Sequence, residues 1–166
     1  MEKVLNWVKS NLRLIEKISI MAGAFLILLI SLIFNIFSDT IVNISVGYLI
    51  YGLLTGIAGG TLLLVGLNIN LFDVKIKGLI LVGVGLVLSI ASVLLYPGFI
   101  NSELFTSLSE TIKEYKNSAG EITSTLTKAN VKTIFNLFTA FSIVSSVSTA
   151  VGFGSQLFRK IKNIDD

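Results

Sequence analysis

Four long apolar blocks dominate this sequence and restrict what the chain can fold into. They lie at residues 18–37, 47–67, 78–96 and 134–158. A helix needs about 20 apolar residues to cross a hydrocarbon layer roughly 30 Å thick, and each block is about that long. The blocks do not alternate between polar and apolar residues, as the strands of a membrane barrel do. The sequence therefore predicts an all-α integral membrane protein with four transmembrane helices.

The composition agrees with this prediction, because only 14% of the residues are charged, against roughly a quarter in soluble domains. A cleavable signal peptide would be an alternative interpretation of the first block. Its apolar stretch is longer than the usual ~7–15 residues, and no small-residue cleavage site follows it, so we expect it to be retained. Pro97 and Gly98 are expected to end the third helix. The chain is predicted to form one domain.

The positions of lysine and arginine predict the orientation of the chain. Basic residues near transmembrane helices concentrate on the cytoplasmic side. With both termini cytoplasmic, that side would hold nine basic residues, and the opposite side would hold four. The nine are Lys3, Lys9, Arg13, Lys17, Lys75, Lys77, Arg159, Lys160 and Lys162, and the four are Lys113, Lys116, Lys128 and Lys132. We therefore predict a multi-pass protein of the cell membrane with both termini in the cytoplasm.

Residues 1–17 have the pattern of an amphipathic helix. Apolar side chains recur on one helical face, and basic side chains lie off it; the apolar set is Val4, Leu5, Val8, Leu12 and Ile15. This pattern predicts a helix that lies in the cytoplasmic membrane interface. The alternative is a simple extension of the first transmembrane helix.

Small residues recur at every fourth position in two of the blocks. The second block contains Gly52, Gly56 and Gly60, and the fourth contains Ser142, Ser146, Ala150 and Gly154. Small residues at this spacing allow close contact between transmembrane helices, so we interpret both sets as packing faces. The alternative is that hydroxyls of the fourth helix line a pore in an oligomer; these are Ser142, Ser145, Ser146, Ser148 and Thr149.

A polar segment at residues 101–132 separates the last two blocks. Its apolar or small residues recur at heptad spacing from Leu108 to Ala129, which is typical of helices. Both ends of the segment must lie at the same membrane face, so one upright helix is geometrically excluded. We predict an extracytoplasmic helical hairpin whose second helix continues into the fourth block. The alternative is a first helix that lies flat on the membrane.

The turn of this hairpin is predicted at four residues that suit a new helix start. They are Asn117, Ser118, Gly120 and Glu121. Ser118 and Glu121 have the spacing of a capping box, in which the two side chains accept hydrogen bonds from backbone donors. The first helix should run from about Ser102 to Lys116, and the second should begin near Ala119.

The sequence lacks the residues on which most catalytic sites depend. It contains no histidine and no cysteine, which removes the commonest general base and the commonest zinc ligands. No ionisable residue lies in the central part of a predicted span, and Gln156 lies near a span end, where lipid headgroups or helix caps would explain it. We therefore predict no catalytic, cofactor-binding or metal site, and no enzymatic activity.

The expected function is that of a structural or accessory membrane protein. It would associate with itself or with a larger membrane complex through its small-residue faces and its outer hairpin. Membrane lipid is an expected partner, and nucleic acid is not, because the basic residues lie where the topology requires them. An oligomeric channel and a lipid-binding helix bundle are the alternatives.

Overall fold

A computed structural model describes residues 4, 6, 7, 10–40 and 46–162. It is mostly helical, and four of its helices are long and apolar enough to cross a membrane, which confirms the predicted multi-pass architecture. The first span is α1 (Leu12–Thr40), the third is α4 (Ile76–Ile100), and the fourth is α6 (Lys128–Lys162). The second span comprises α2 (Val46–Gly52), a π-helical segment (Leu53–Ala58) and α3 (Gly59–Ile69). A single turn, α5 (Glu103–Thr106), follows α4.

The four spans pack in a ring in which each helix contacts the preceding and following span, and the fourth closes against the first. Successive spans run in opposite directions. The end of the bundle at which α4 ends and α6 begins is called the hairpin end below. The opposite end, at which α1 begins and α6 ends, is called the terminal end.

Several helices extend beyond the predicted boundaries. α1 begins at Leu12, so residues 12–17 belong to the first span and do not form part of a separate interfacial helix. Most of the preceding residues of that predicted helix lie outside the described residues. Pro97 does not end the third helix, because α4 continues to Ile100 and the Asn101 amide donates to the Pro97 carbonyl at 3.1 Å. Membrane helices tolerate proline when packing holds the helix on both sides of it.

An aromatic cluster fills the core at the hairpin end. Phe34 of α1 contacts Tyr96 of α4 and Phe135 of α6 edge to face, with ring centroids 5.6 Å apart in both pairs. Phe99 stacks on Phe135 at 4.6 Å and contacts Phe105 of α5 at 5.5 Å. Aromatic pairs in these arrangements stabilise a core by about 0.5–1.5 kcal/mol each beyond their buried area. This cluster joins three spans and the short helix α5.

The outer segment is a β-hairpin, so the prediction of two outer helices is wrong. β1 (Thr111–Lys116) and β2 (Ile122–Thr127) pair in antiparallel fashion. Both strands are rich in β-branched and aromatic residues, which favour extended backbone: Thr111, Ile112, Tyr115, Ile122, Thr123, Thr125 and Thr127. The apolar residues have a spacing that also suits a helix, but the local preference of these residues is for extended backbone.

Candidate functional site

The hairpin turn is held by the side chain of Asn117. Its Oδ1 accepts hydrogen bonds from the amides of Ala119 at 3.0 Å and Glu121 at 2.9 Å, and its Nδ2 donates to the Glu121 carboxylate at 3.0 Å. Gly120 has a φ of 83°, a conformation that glycine adopts without strain. The chain therefore reverses between Asn117 and Glu121, but within a turn between strands. The predicted capping box of a helix does not form, because no helix begins here.

The two strands of the hairpin present different edges. β1 carries Lys113, Glu114 and Lys116, and the Lys113 ammonium lies 5.3 Å from the centre of the Tyr115 ring. β2 contains no charged residue, and its first four residues are exposed. Within the described part of the chain the sheet has only these two strands. Each strand therefore has one edge without a strand neighbour in this structure.

The base of the hairpin packs against the bundle. Leu126 is buried, and Ile112 packs against the aromatic cluster. The Lys128 amide donates to the Glu110 carbonyl at 2.9 Å. β2 ends at Thr127 and α6 begins at Lys128, so no linker separates the hairpin from the fourth span.

A buried polar cluster connects three of the spans at the terminal end. Gln156 of α6 donates to Glu16 of α1 at 3.0 Å and accepts from Asn70 at 3.0 Å. Asn70 follows α3 and accepts from the Lys75 amide at 3.0 Å. The Arg159 Nε lies 3.4 Å from the Glu16 carboxylate, and each of these two side chains is 1% exposed. The cluster therefore joins the first span, the second span and the fourth span through side chains that are shielded from solvent.

This cluster corrects the interpretation of Gln156 as a residue at the lipid headgroups. Gln156 is fully buried, as is Asn70. The four side chains come from three separate parts of the sequence, and each lies near the end of a span, where polar residues are common. One signal was available, because Gln156 and Arg159 continue the buried face of α6 at alternating steps of three and four residues.

The glycines of the second span contact the first span, as a packing face would. A Cβ added at Gly52 would meet the Phe34 ring, and one at Gly60 would meet Leu28. A Cβ at Gly56 would overlap Ser31. These three glycines therefore allow the second span to approach α1 closely within one chain.

The small residues of the fourth span are divided between two environments. Ser142 is buried, and Ser146 lies 3.1 Å from Ser89 of α4. Ala150 and Gly154 are exposed on the outer surface of the bundle, and a Cβ at Gly154 would meet nothing within 4 Å. The second half of the predicted face therefore does not pack against another helix of the same chain.

The contact face of α6 contains other hydroxyl residues. Ser145 donates to the Gly23 carbonyl at 2.7 Å, and Ser148 donates to the Ser19 carbonyl at 2.8 Å. Thr149 is buried, and a Cβ at Gly23 would overlap it. Two of the five hydroxyls that we considered as a pore lining, those of Ser145 and Ser148, thus bind α1 backbone within the same subunit.

Comparisons with known proteins give no relative for this chain: no family model, no curated protein and no solved structure matches it.

Proposed function

We propose that this chain is a non-enzymatic structural or accessory protein of the cell membrane and that its β-hairpin binds another protein chain. The observation that carries this proposal is the open edge of β2 (Ile122–Thr127). An exposed strand edge presents backbone donors and acceptors that an extended segment of a partner can pair with. The partner is either a second copy of the chain or another membrane protein.

The difference between the two edges favours β2 as the docking edge. Proteins protect free strand edges with charged residues, lysine above all. Three of the six residues of β1 are charged, and none of β2 is. A partner strand that pairs with β2 would therefore meet threonine, serine and isoleucine side chains and would bury no unpaired charge.

A hairpin of two strands is only marginally stable by itself. Here the bundle supports the base of the hairpin through Leu126 and Ile112, whereas residues 122–125 are exposed. A third strand would supply the backbone hydrogen bonds and side-chain contacts that this outer part lacks. Binding by strand addition would thus stabilise the hairpin as well as join two chains.

The hairpin is the stronger candidate for association because the small-residue face of the second span, and the first half of that of the fourth, already pack within the chain. Gly52, Gly56 and Gly60 face α1, and Ser145 binds Gly23. The alternative function, an oligomeric channel lined by α6, would require these hydroxyls to leave their partners. That requirement counts against a channel.

The orientation that we propose places both termini in the cytoplasm and the hairpin outside. The excess of basic residues at the terminal end, nine against four, supports it. In this orientation the hairpin binds its partner at the outer surface of the membrane.

Site-specific photo-crosslinking in native membranes tests the proposal. A photoreactive residue at Thr125 of β2 should give a discrete product heavier than the monomer. The matched control is Lys113 on β1, which is also exposed and should give at most a tenth of that product. Either the absence of a protein adduct at Thr125 or equal adducts at the two positions would contradict the proposal.

Two lysines on β2 provide a second test. The double substitution Thr123→Lys and Thr125→Lys would protect this edge and should abolish the heavier product of a probe placed at Ser124. The equivalent control substitutes Thr111→Lys on β1 and should leave the product unchanged. Persistence of the product in the β2 variant would exclude pairing along this edge.

A further inference from the structure

A crevice of about 420 Å³ lies at the hairpin end between the end of α4 and the first turns of α6. Ile100 and Phe105 form part of an apolar wall, and Glu110, Lys128 and Lys132 contribute charged groups to the lining. The crevice lies below the hairpin, at the level where the apolar part of the fourth span begins. It therefore combines a positive net charge with an apolar surface at the expected depth of the membrane interface.

Lys128 is held in a fixed position beside this crevice. Its Nζ donates to the carbonyls of Thr106 at 2.8 Å and Leu108 at 3.3 Å, and it lies 5.6 Å from the centre of the Phe105 ring. A lysine ammonium has three donors, so these carbonyls use two of them. Because the two contacts fix the ammonium, it presents an oriented positive charge to a ligand in the crevice. Its third N–H can donate a hydrogen bond to that ligand.

Lys132 adds a second positive charge one helical turn further along α6. A separation of four residues places both lysines on the same face of the helix, about 6 Å apart along its axis. Lys132 is exposed, lines the crevice and immediately precedes the apolar part of the span. Lysines at this position extend their ammonium groups to the lipid phosphates.

We propose that this crevice binds the phosphodiester of a membrane lipid headgroup. Lys128 and Lys132 contact the phosphate oxygens, and the apolar wall contacts the glycerol and the first methylenes of the acyl chains. Glu110 disfavours a second anionic group and suits a headgroup that carries a hydroxyl or an amine. The site lies beside α4 and α6 and is separate from the open edge of β2, so it does not depend on the proposed strand addition.

Native mass spectrometry of the full-length protein with added lipids tests this inference. Phosphatidylglycerol and phosphatidylethanolamine should be retained more strongly than diacylglycerol, which lacks the phosphate. The substitution Lys132→Gln should weaken retention of both phospholipids about fivefold, since one basic residue at the membrane surface contributes about this much. The control Lys160→Gln alters an exposed lysine at the terminal end and should leave retention unchanged.

The thermal unfolding temperature of Lys132→Gln should equal that of the parent, which separates a loss of binding from a loss of structure. Equal retention of diacylglycerol, or equal losses in the Lys132→Gln and Lys160→Gln variants, would overturn the site. Inorganic phosphate is then added as a competitor of the lipid. If it displaces phosphatidylglycerol at equal concentration, the crevice binds a soluble anion and the assignment to lipid is wrong.

Discussion

The second and fourth spans both carry a small residue at every fourth position, yet only the second places all of them against a neighbouring helix. Gly52, Gly56 and Gly60 all face α1. In the fourth span, Ser146 contacts Ser89, whereas Gly154 faces outward. The same sequence spacing therefore keeps the small residues of the second span on one contact face. In the fourth span it carries them around the helix from the contact face to the outer surface.

The difference follows from the local type of helix. Four residues of an α-helix turn by about 400°, so each step of four moves about 40° around the axis. α6 is a regular α-helix of 35 residues, and its stripe leaves the contact face after two steps. The second span contains the π-helical segment Leu53–Ala58, which bonds residue i to i+5 and turns less per residue. This slower winding offsets the drift and keeps the glycines aligned.

The true contact face of α6 alternates between steps of three and four residues, from Val131 to Arg159. A spacing of this kind averages 3.5 residues and stays close to one side of an α-helix. It passes through hydroxyl residues at mid-membrane and ends in the buried polar cluster.

The largest effect is expected from Arg159→Leu, because it leaves the Glu16 carboxylate buried without its ion-pair partner on α6. Removal of one member of a buried pair costs about 3–5 kcal/mol, and we expect that loss in the free energy of unfolding measured in detergent. The double variant Glu16→Leu with Arg159→Leu should recover most of it. A double variant as unstable as the single one would show that the pair does not couple α1 to α6.

A smaller loss is expected from Gly56→Leu, whose side chain would overlap Ser31 of α1. Overpacking of this kind costs about 1–3 kcal/mol. The matched control is Gly154→Leu, which occupies an equivalent place in the stripe of the fourth span but meets open space; it should change stability by less than about 0.5 kcal/mol. Equal losses of stability in Gly56→Leu and Gly154→Leu would refute the proposed difference between the small-residue faces of the second and fourth spans.

The smallest effect is expected from Ser145→Ala, which removes the hydrogen bond to the Gly23 carbonyl. Hydrogen bonds between membrane helices contribute about 0.6 kcal/mol on average, and the thermal unfolding temperature should fall slightly. The control Ala150→Ser adds a hydroxyl on the outward side of α6 and should have no measurable effect. If the unfolding temperature falls in Ala150→Ser and not in Ser145→Ala, the contact face of α6 follows the predicted steps of four residues and includes Ala150.

The sequence was sufficient to predict the four spans, because span length and hydropathy are local properties that the bilayer thickness fixes. It also located the chain reversal, since Asn117 and Gly120 favour a turn in either secondary structure. It did not predict the strands, because the apolar spacing of residues 108–129 suits a helix, whereas the β-branched composition of residues 111–127 favours strands. The spacing along α6 could have shown that Gln156 and Arg159 are buried, but their pairing with Glu16 is a long-range contact that the local sequence does not record.

The direct junction between Thr127 and Lys128 couples the movement of the hairpin to that of the fourth span. Because no linker separates them, a rotation of α6 about its axis would pull on the hairpin, whose base packs against the aromatic cluster. A partner that holds β2 would in turn resist that rotation. The buried pair of Glu16 and Arg159 would hold the other end of the same helix against α1.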